Sequence, residues 1–167
     1  MIYVGIDPGV TGAVAVFYPS SPPRVFDLPT VEVKQRRRID LQCGSLGLPG
    51  WLCREIGAYE GLLVGLEEIR AIPTFGSHSS FALGQVFGQL EATLSAAGLP
   101  YELVPPKVWQ AGLFRGKAKD PGSILLAARQ KWPGLAEQLK RKKDHNRADA
   151  LWIAEYLRRR EQGAARP

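Results

Sequence analysis

The chain has 167 residues, 45% of them hydrophobic and 23% charged, which is typical of one globular domain and excludes a disordered chain. Its net charge of +6 and isoelectric point of about 9.5 favour a polyanionic partner, nucleic acid first. No stretch approaches the roughly 20 apolar residues of a membrane span, and no basic leader precedes the first predicted strand, so we expect a cytoplasmic protein with no membrane partner.

The first half of the sequence predicts mainly strands. A meander of three strands with short turns is expected over 2–7, 11–18 and 24–28. The polar segment 30–44 is expected to be a loop or a short edge strand. A helix is then expected over 46–60, followed by a fourth strand over 62–69.

The second half predicts mainly helices. A loop rich in glycine and serine, 73–80, leads into a long helix over 81–97, which Gly98 is expected to end. A fifth strand is expected over 101–104. The remaining segments are predicted to be helical: a short one after Lys107 and three more at 121–132, 134–141 and 146–160. We therefore expect a single mixed α/β domain over 1–160 and a frayed tail over 161–167.

The two cysteines, Cys43 and Cys53, lie ten residues apart. This spacing matches no zinc or redox motif. Because free cysteine is among the most frequently buried residue types, we interpret both as small buried residues in a reducing compartment.

Asp7 stands where the first predicted strand ends. Pro8 and Gly9 follow it and force a tight turn, so the strand cannot continue past the acid. Open α/β sheets place their functional sites outside the carboxyl ends of their strands. Asp7 is therefore a candidate site residue, although a lone Asp-Pro-Gly sequence is more often only a turn.

Acidic residues also stand at the ends of two other predicted elements. The fourth strand ends in Glu67 and Glu68, and because side chains alternate along a strand, only one of them faces a given side. Asp149 lies at the start of the last helix, on its otherwise apolar face. An alternative role for Asp149 is to cap that helix together with Asn146, three residues earlier.

Three acids from distant parts of the chain thus stand at element ends. Carboxylate oxygens are the ligands that Mg²⁺ prefers, whereas acids gathered without a metal repel one another. Two such ions about 3.5–4 Å apart stabilise both the attacking and the leaving oxygen of a phosphodiester displacement. The pattern therefore indicates a two-metal hydrolytic site that uses Mg²⁺.

Basic residues form three clusters along the chain, around Arg36, Lys117 and Lys142. Any one of them could be only a solvated face, but three clusters, two of them close to the candidate acids, favour a DNA-binding surface. The candidate DNA-binding residues are these basic residues with a few neighbours, namely Arg36, Arg37, Arg38, Arg70, Phe75, Lys107, Lys117, Lys119, Lys140, Lys142, Lys143 and Arg147.

Four segments, in this order, resemble the RuvC family of Holliday junction resolvases, and most closely its short phage-type members. They are GIDPGVTGAVAV, LEEIRAIPTFGSHSSFALGQVFGQL, VPPKVWQAGL and KKDHNRADALWIAEYL. The resemblance covers about residues 1–160. It implies an RNase H-like fold with a five-stranded mixed sheet flanked by helices, a homodimer, and metal-dependent nicking of four-way DNA junctions, in the host cytoplasm if a phage encodes the protein.

The resemblance also assigns roles to individual acids. Asp7 matches the aspartate of the family's first strand, and Asp149 matches the aspartate of its last helix. Glu67 matches the family's glutamate because the residues Leu66 to Ile69 fit the pattern apolar–Glu–x–apolar. Glu68 is then the neighbour that faces the other side.

The chain departs from the family at the fourth acidic position. The best-known members have Asp or His three residues before the last aspartate, where this chain has Asn146. His145 and Asp144 are the candidates for a fourth metal ligand. We favour His145 as a catalytic residue and ligand because it precedes Asp149 by one helical turn, and an imidazole would let Mn²⁺ substitute for Mg²⁺.

A second departure affects DNA recognition. The best-known bacterial member has an aromatic residue three positions after the glutamate, used against a DNA base, and this chain has Arg70 there. Phe75 in the following loop is the candidate substitute.

Other functions fit part of the same pattern. A non-catalytic junction-binding protein would need the basic clusters but not the acids. A broader RNase H-like nuclease would cut linear or hybrid substrates as readily as junctions. An actin-like sugar kinase also begins with a strand, an acid and a glycine-rich turn, but it needs two such domains, and 167 residues have room for one.

Overall fold

The structure is a computed structural model that describes residues 1–42, 47–56, 61–70, 76–116 and 119–163. Its centre is a five-stranded sheet made of β1 (Ile2–Asp7), β2 (Ala13–Phe17), β3 (Arg24–Asp27), β6 (Leu62–Glu67) and β7 (Tyr101–Val104). Their order across the sheet is β3-β2-β1-β6-β7. β1, β2 and β3 pair antiparallel, whereas β1, β6 and β7 pair parallel, so the sheet is mixed as predicted.

Helices cover both faces of this sheet. They are α1 (Leu48–Ile56), α2 (Ser77–Ala96), α3 (Pro106–Leu113), α4 (Pro121–Lys131) and α5 (His145–Glu161), with 3₁₀ turns at Pro133–Leu139 and Lys142–Asp144. One core forms where α3, α4 and α5 pack on the sheet, and α1 and α2 form a second core on the opposite face. No helix in the described part of the chain is long and apolar enough to cross a membrane.

Strand alternation decides which side chains face α5. Gly5 of β1 lies directly against the backbone of α5, and Gly65 of β6 lies against the side chains of Ile153 and Leu157 of the same helix. Because side chains alternate with a period of two, Asp7 and Glu67 point to this same face. β1 and β6 are parallel and aligned at Ile6 and Leu66, so both acids also stand at the same end of the sheet.

The segment predicted as a loop or edge strand is a separate two-stranded hairpin, β4 (Thr30–Val33) and β5 (Arg36–Ile39). Val33 pairs with Arg36, so Lys34 and Gln35 form a two-residue turn. Both turn residues have positive φ, of 49° and 59°. This conformation suits the right-handed twist of a hairpin but is normally filled by Asn and Gly.

The structure confirms the predicted fold class, and the differences lie at element ends and in one short helix. α2 begins at Ser77, four residues before the predicted start, because Gly76 supplies an extended N-cap and the serines continue as helix. The segment predicted as a helix over 134–141 is a 3₁₀ turn that begins at Pro133. β6 ends at Glu67, two residues before the predicted end.

The interpretation of the cysteines was wrong for Cys53, which is exposed. Cys53 lies on the outer side of α1, while Trp51, Leu52 and Ile56 supply that helix's buried face. Cys43 and the end of the predicted tail, residues 164–167, lie outside the described residues.

Candidate active site

Three elements bring together Asp7, Glu67 and Asp149, which form the acid cluster. β1 and β6 deliver the first two side by side, and α5 supplies Asp149 from one turn inside its N-terminus. Asp7 hydrogen-bonds to Glu67 and also interacts electrostatically with Asp149. Glu68 lies outside the cluster and pairs with Arg70 at 3.2 Å.

Burial and mutual repulsion favour the protonated forms of the acid cluster. Burial, followed by the nearby Glu67 and Asp149, raises the pKa of Asp7 well above its usual range. Burial and then Glu67 raise the pKa of Asp149 to about 8. Burial also raises the pKa of Glu67, and the hydrogen bonds from Trp109 and Asp7 oppose that shift. The pKa values are raised because buried carboxylates that lie close together, with no cation between them, disfavour their charged forms.

The chemistry of the acid cluster fits a hard divalent cation. Among the residues described, no three His, Cys, Asp or Glu side chains are already arranged around one point. Instead, the side chains of Asp7 and Glu67 hydrogen-bond to each other. Asp149 Oδ1 is buried without a hydrogen-bond partner. A buried, unsatisfied carboxylate oxygen is costly, and a cation would satisfy it. The three residues therefore fit Mg²⁺ as ligands.

Trp109 is a site residue that sequence reasoning missed. Its indole Nε1 donates a hydrogen bond of 2.9 Å to Glu67 Oε1, and its ring is almost fully buried. The bond orients Glu67 and favours its ionised form. The only sequence signal was the position of Trp109 in the segment VPPKVWQAGL, where an indole buried in a core needs an acceptor for its N–H.

Asn146 does not cap α5 but hydrogen-bonds to Thr11. Its Nδ2 donates to the backbone carbonyl of Thr11 at 2.6 Å and to Thr11 Oγ1 at 3.0 Å. Thr11 belongs to the turn that follows Asp7. The capping role considered for Asn146 and Asp149 is therefore wrong, because Asn146 bonds to this turn and α5 begins earlier, at His145.

The two candidates for a fourth ligand lie in different surroundings. Both carboxylate oxygens of Asp144 are engaged by Arg141, whose Nη2 donates to Oδ1 at 2.8 Å and whose backbone N–H donates to Oδ2 at 2.7 Å. These bonds help to hold the pKa of Asp144 below its usual value, against the opposing effect of burial. His145 Nδ1 lies 3.1 Å from the carbonyl oxygen of Lys142, and its ring lines a cleft beside Thr11.

Several of the candidate DNA-binding residues are already paired within the chain. Arg147 makes two bonds to Asp27, of 2.6 and 2.7 Å, so its guanidinium fixes β3 against α5. Lys140 pairs with Glu137 at 2.8 Å, and Arg70 pairs with Glu68. No described partner holds the side chains of five other candidates: Arg36, Arg37, Arg38, Lys142 and Lys143.

Four of these unpaired cations, Arg36, Arg37, Arg38 and Lys143, line two clefts that also include Val10 of the turn after Asp7. A cleft of about 420 Å³ is lined by Arg37, Lys143 and His145 together with the turn after Asp7. A smaller cleft of about 150 Å³ lies between β5 and the start of α2. It is lined by all three arginines of β5 and by Phe81, whose ring is 74% exposed.

The other candidate DNA-binding residues are placed as follows. Lys107 lies in the first turn of α3, close in sequence to Trp109. Lys119 immediately precedes Asp120, the N-cap of α4. Phe75 and Lys117 lie outside the described residues.

The sequence matches no family model and no curated protein, whereas the fold is similar to solved structures. Thermus thermophilus RuvC in complex with a Holliday junction substrate is similar, with a TM-score of 0.59 and 18% identity. The match covers 100% of this chain and 99% of that one. Thermus thermophilus RuvC matches with a TM-score of 0.57 and 20% identity over the same shares. The chain therefore has the RNase H-like fold of RuvC, as the resemblance of its motifs implied.

Proposed function

We propose that this chain is a structure-specific endonuclease that resolves four-way (Holliday) DNA junctions by metal-dependent phosphodiester hydrolysis. The observation that carries the proposal is the acid cluster, which lies at the carboxyl ends of two parallel strands in a RuvC-like fold. The RuvC structure with a junction substrate supports branched DNA as the ligand. The unpaired arginines and lysines beside the cluster are suited to phosphate.

The residues of the acid cluster would hold Mg²⁺, two ions per site, with Mn²⁺ as a substitute. Such ions stabilise charge on the scissile phosphate and supply hydroxide from bound water. Asp7 and Glu67 lie on rigid adjacent strands, and Trp109 holds the Glu67 carboxylate in one orientation. His145 is our proposed fourth ligand, because Arg141 already occupies Asp144.

The unpaired cations suggest a path for the DNA backbone. Arg37 lines both clefts, and Lys143 also lines the larger one. A strand following these residues would pass beside the turn that follows Asp7. Arg147 and Lys140 contribute less to this path because their charges are compensated by Asp27 and Glu137.

Replacing Arg36, Arg37 and Arg38 together by alanine should make junction binding less dependent on salt. Removing one phosphate-binding cation flattens the slope of log K against log salt by roughly 0.9, so the expected change is up to about 3. Filter binding across a salt series measures this slope. Arg54→Ala on α1 removes a charge outside the clefts and serves as the control. An unchanged slope in the triple variant would show that β5 faces solvent in the complex.

We also propose that the protein acts as a homodimer and that α2 forms the interface. An apolar groove of about 750 Å³ runs along α2, lined by Gly84, Gly88 and Ala92, with Leu41 and Cys53 at its edge. A Cβ added at either glycine would meet no atom within 4 Å, so the glycines do not pack α2 against its own sheet. A second copy of α2 fits this groove because small residues four apart let two helices approach closely. A two-fold pair of sites also matches the near two-fold symmetry of a junction.

Gly88→Leu should give a folded monomer that no longer nicks junctions in pairs. Leucine has a higher helix propensity than glycine, so the substitution blocks the groove without weakening α2. Sedimentation measures the oligomeric state, and alkylation of Cys53 should be slower in the wild type than in the variant. Ala136→Leu, at an exposed position of the 3₁₀ turn, is the control. A wild type that is monomeric yet nicks both strands symmetrically would contradict the interface.

The metal-free protein should lose stability as the pH rises towards about 8. The folded state holds a proton on Asp149 up to about pH 8, whereas the unfolded state releases it near pH 3.8. The free energy of unfolding therefore falls as the pH rises from about 3.8 to about 8. A bound divalent ion favours the ionised acids, so the rise in Tm on adding Mg²⁺ should increase with pH. Thermal unfolding with EDTA or Mg²⁺ at about pH 6 and about pH 9 measures both effects. Asp149→Asn should flatten the pH dependence, and an equal Mg²⁺ effect at both pH values would contradict this account.

A cleavage assay on labelled substrates tests the proposed function. With Mg²⁺, a four-way junction should be nicked symmetrically on two opposed strands, while linear duplex and RNA–DNA hybrid stay intact. Binding without nicking would favour the non-catalytic junction-binding protein. Equal cutting of linear or hybrid substrates would favour the broader nuclease.

A further inference from the structure

We propose that the chain carries a second binding site, for a nucleoside 5′-monophosphate unit, at the end of the sheet opposite to the acid cluster. A cavity of about 500 Å³ opens there. It lies between the start of β1, the β2–β3 turn and the C-terminal ends of α4 and α5. This volume falls within the range of small-molecule sites. The site uses none of the residues that carry catalysis or junction binding.

Three cations converge on one buried carboxylate beside this cavity. Glu155 has no exposed surface, and it pairs with Lys131 at 3.2 Å, Arg158 at 2.8 Å and Arg159 at 2.7 Å. One carboxylate compensates one of the three charges, so two positive charges remain. The three cationic side chains keep between 30% and 37% of their surface exposed. Lys131 and Arg158 line the cavity, so an anion inside it can reach both, whereas Arg159 adds its charge from outside the lining.

The excess charge identifies the class of anion. A phosphomonoester carries about −1.5 to −2 charges at neutral pH and offers three acceptor oxygens. It therefore matches the two uncompensated charges, whereas a carboxylate would leave one of them without a partner. Arg158 also has a donor in reserve, because its Nε and Nη2 bond to Glu155 while its Nη1 has only a 3.5 Å contact with Gln162.

The cavity walls favour a flat ring attached to that phosphate. Tyr3, Phe17 and Trp132 line the cavity together with Lys131 and Arg158. Lys131 Nζ lies over the face of the Trp132 ring, 5.7 Å from its centre, so the cation and the aromatic ring belong to the same wall of the cavity. A nucleobase stacks on aromatic rings, and its 5′-phosphate would reach the cations at the edge of the same wall.

Binding of deoxyadenosine monophosphate to the metal-free protein, measured by calorimetry in EDTA, tests the proposal. We expect saturable binding at least about tenfold tighter than that of deoxyadenosine or inorganic phosphate, because only the nucleotide uses both the rings and the cations. Lys131→Gln should weaken binding by about tenfold or more. Ser21→Glu should also weaken binding by about tenfold or more, because it places a negative charge in the cavity that repels the phosphate. Ser21 is exposed and lies outside the ion cluster, so the substitution leaves that cluster intact. Arg54→Gln on α1 is the matched charge control and should bind like the wild type.

Absence of saturable binding by the wild type, or wild-type binding by the folded Ser21→Glu variant, would overturn the proposal. Competition by a short DNA strand with a 5′-phosphate identifies the source of the ligand. A strand that displaces the mononucleotide indicates a DNA end, and a strand that fails indicates a free nucleotide; both results support the site. Because these measurements contain neither a divalent metal nor a junction, their outcome is independent of the proposed nuclease activity.

Discussion

Replacing Asp7 by Asn, Glu67 by Gln or Asp149 by Asn should each slow junction cleavage by about 10²-fold or more while leaving junction binding largely intact. Each change keeps the shape of the side chain but removes the negative charge that would hold a cation. Binding should persist because the unpaired cations around Arg37 and Lys143 lie outside the acid cluster. Cleavage rates and gel-shift affinities, measured on the same junction, separate the two effects.

The adjacent acid provides the matched control. Glu68 pairs with Arg70 and does not face the acid cluster, so Glu68→Gln should keep most of the activity. An inactive Glu68→Gln protein beside an active Glu67→Gln protein would show that the strand places Glu68 towards the metal. Loss of junction binding in all three acid variants would instead show that these substitutions disturb the DNA surface.

The central sheet was predictable because each strand carries a short apolar run that ends in a turn signal. Ile2–Asp7 is followed at once by proline and glycine, and Leu62–Glu67 has the same apolar character and ends in acids. The alternation of side chains, together with the resemblance to RuvC, was enough to select Glu67 over Glu68. The structure places Glu67 beside Asp7, as that selection required.

The contacts of individual polar residues could not be read from local patterns. Asn146 looks like a helix cap in sequence, yet it bonds to Thr11, which is 135 positions away. Trp109 hydrogen-bonds to Glu67, which lies 42 positions away in the sequence. Whether Arg147 is available to DNA depends on Asp27, 120 residues distant. Such pairings depend on how the sheet and α5 pack together, so the periodicity of the sequence does not predict them.

At Gly5, β1 and α5 approach each other closely, and both the fold and the acid cluster depend on this contact. It is the middle of β1, two residues before Asp7, and it faces the backbone of α5 next to Asp149. A Cβ at this position would overlap the carbonyl oxygen of Ala150 and lie 2.5 Å from the backbone nitrogen of Ala154. Backbone atoms inside a helix cannot move aside individually, so an added methyl group must push β1 and α5 apart.

Gly5→Ala should therefore destabilise the protein by about 3 kcal/mol or more, at the upper end of the cost of overpacking a core. Any folded protein that remains should also cleave poorly, because separating β1 from α5 separates Asp7 from Asp149. Chemical denaturation compares the variant with Gly134→Ala, where the added methyl group meets no atom within 4 Å and the position lies outside the proposed dimer interface. The control should be stabilised by up to about 1 kcal/mol, because alanine has less conformational freedom than glycine in the unfolded chain. A Gly5→Ala protein that unfolds at the wild-type denaturant concentration would show that α5 does not pack this closely on β1.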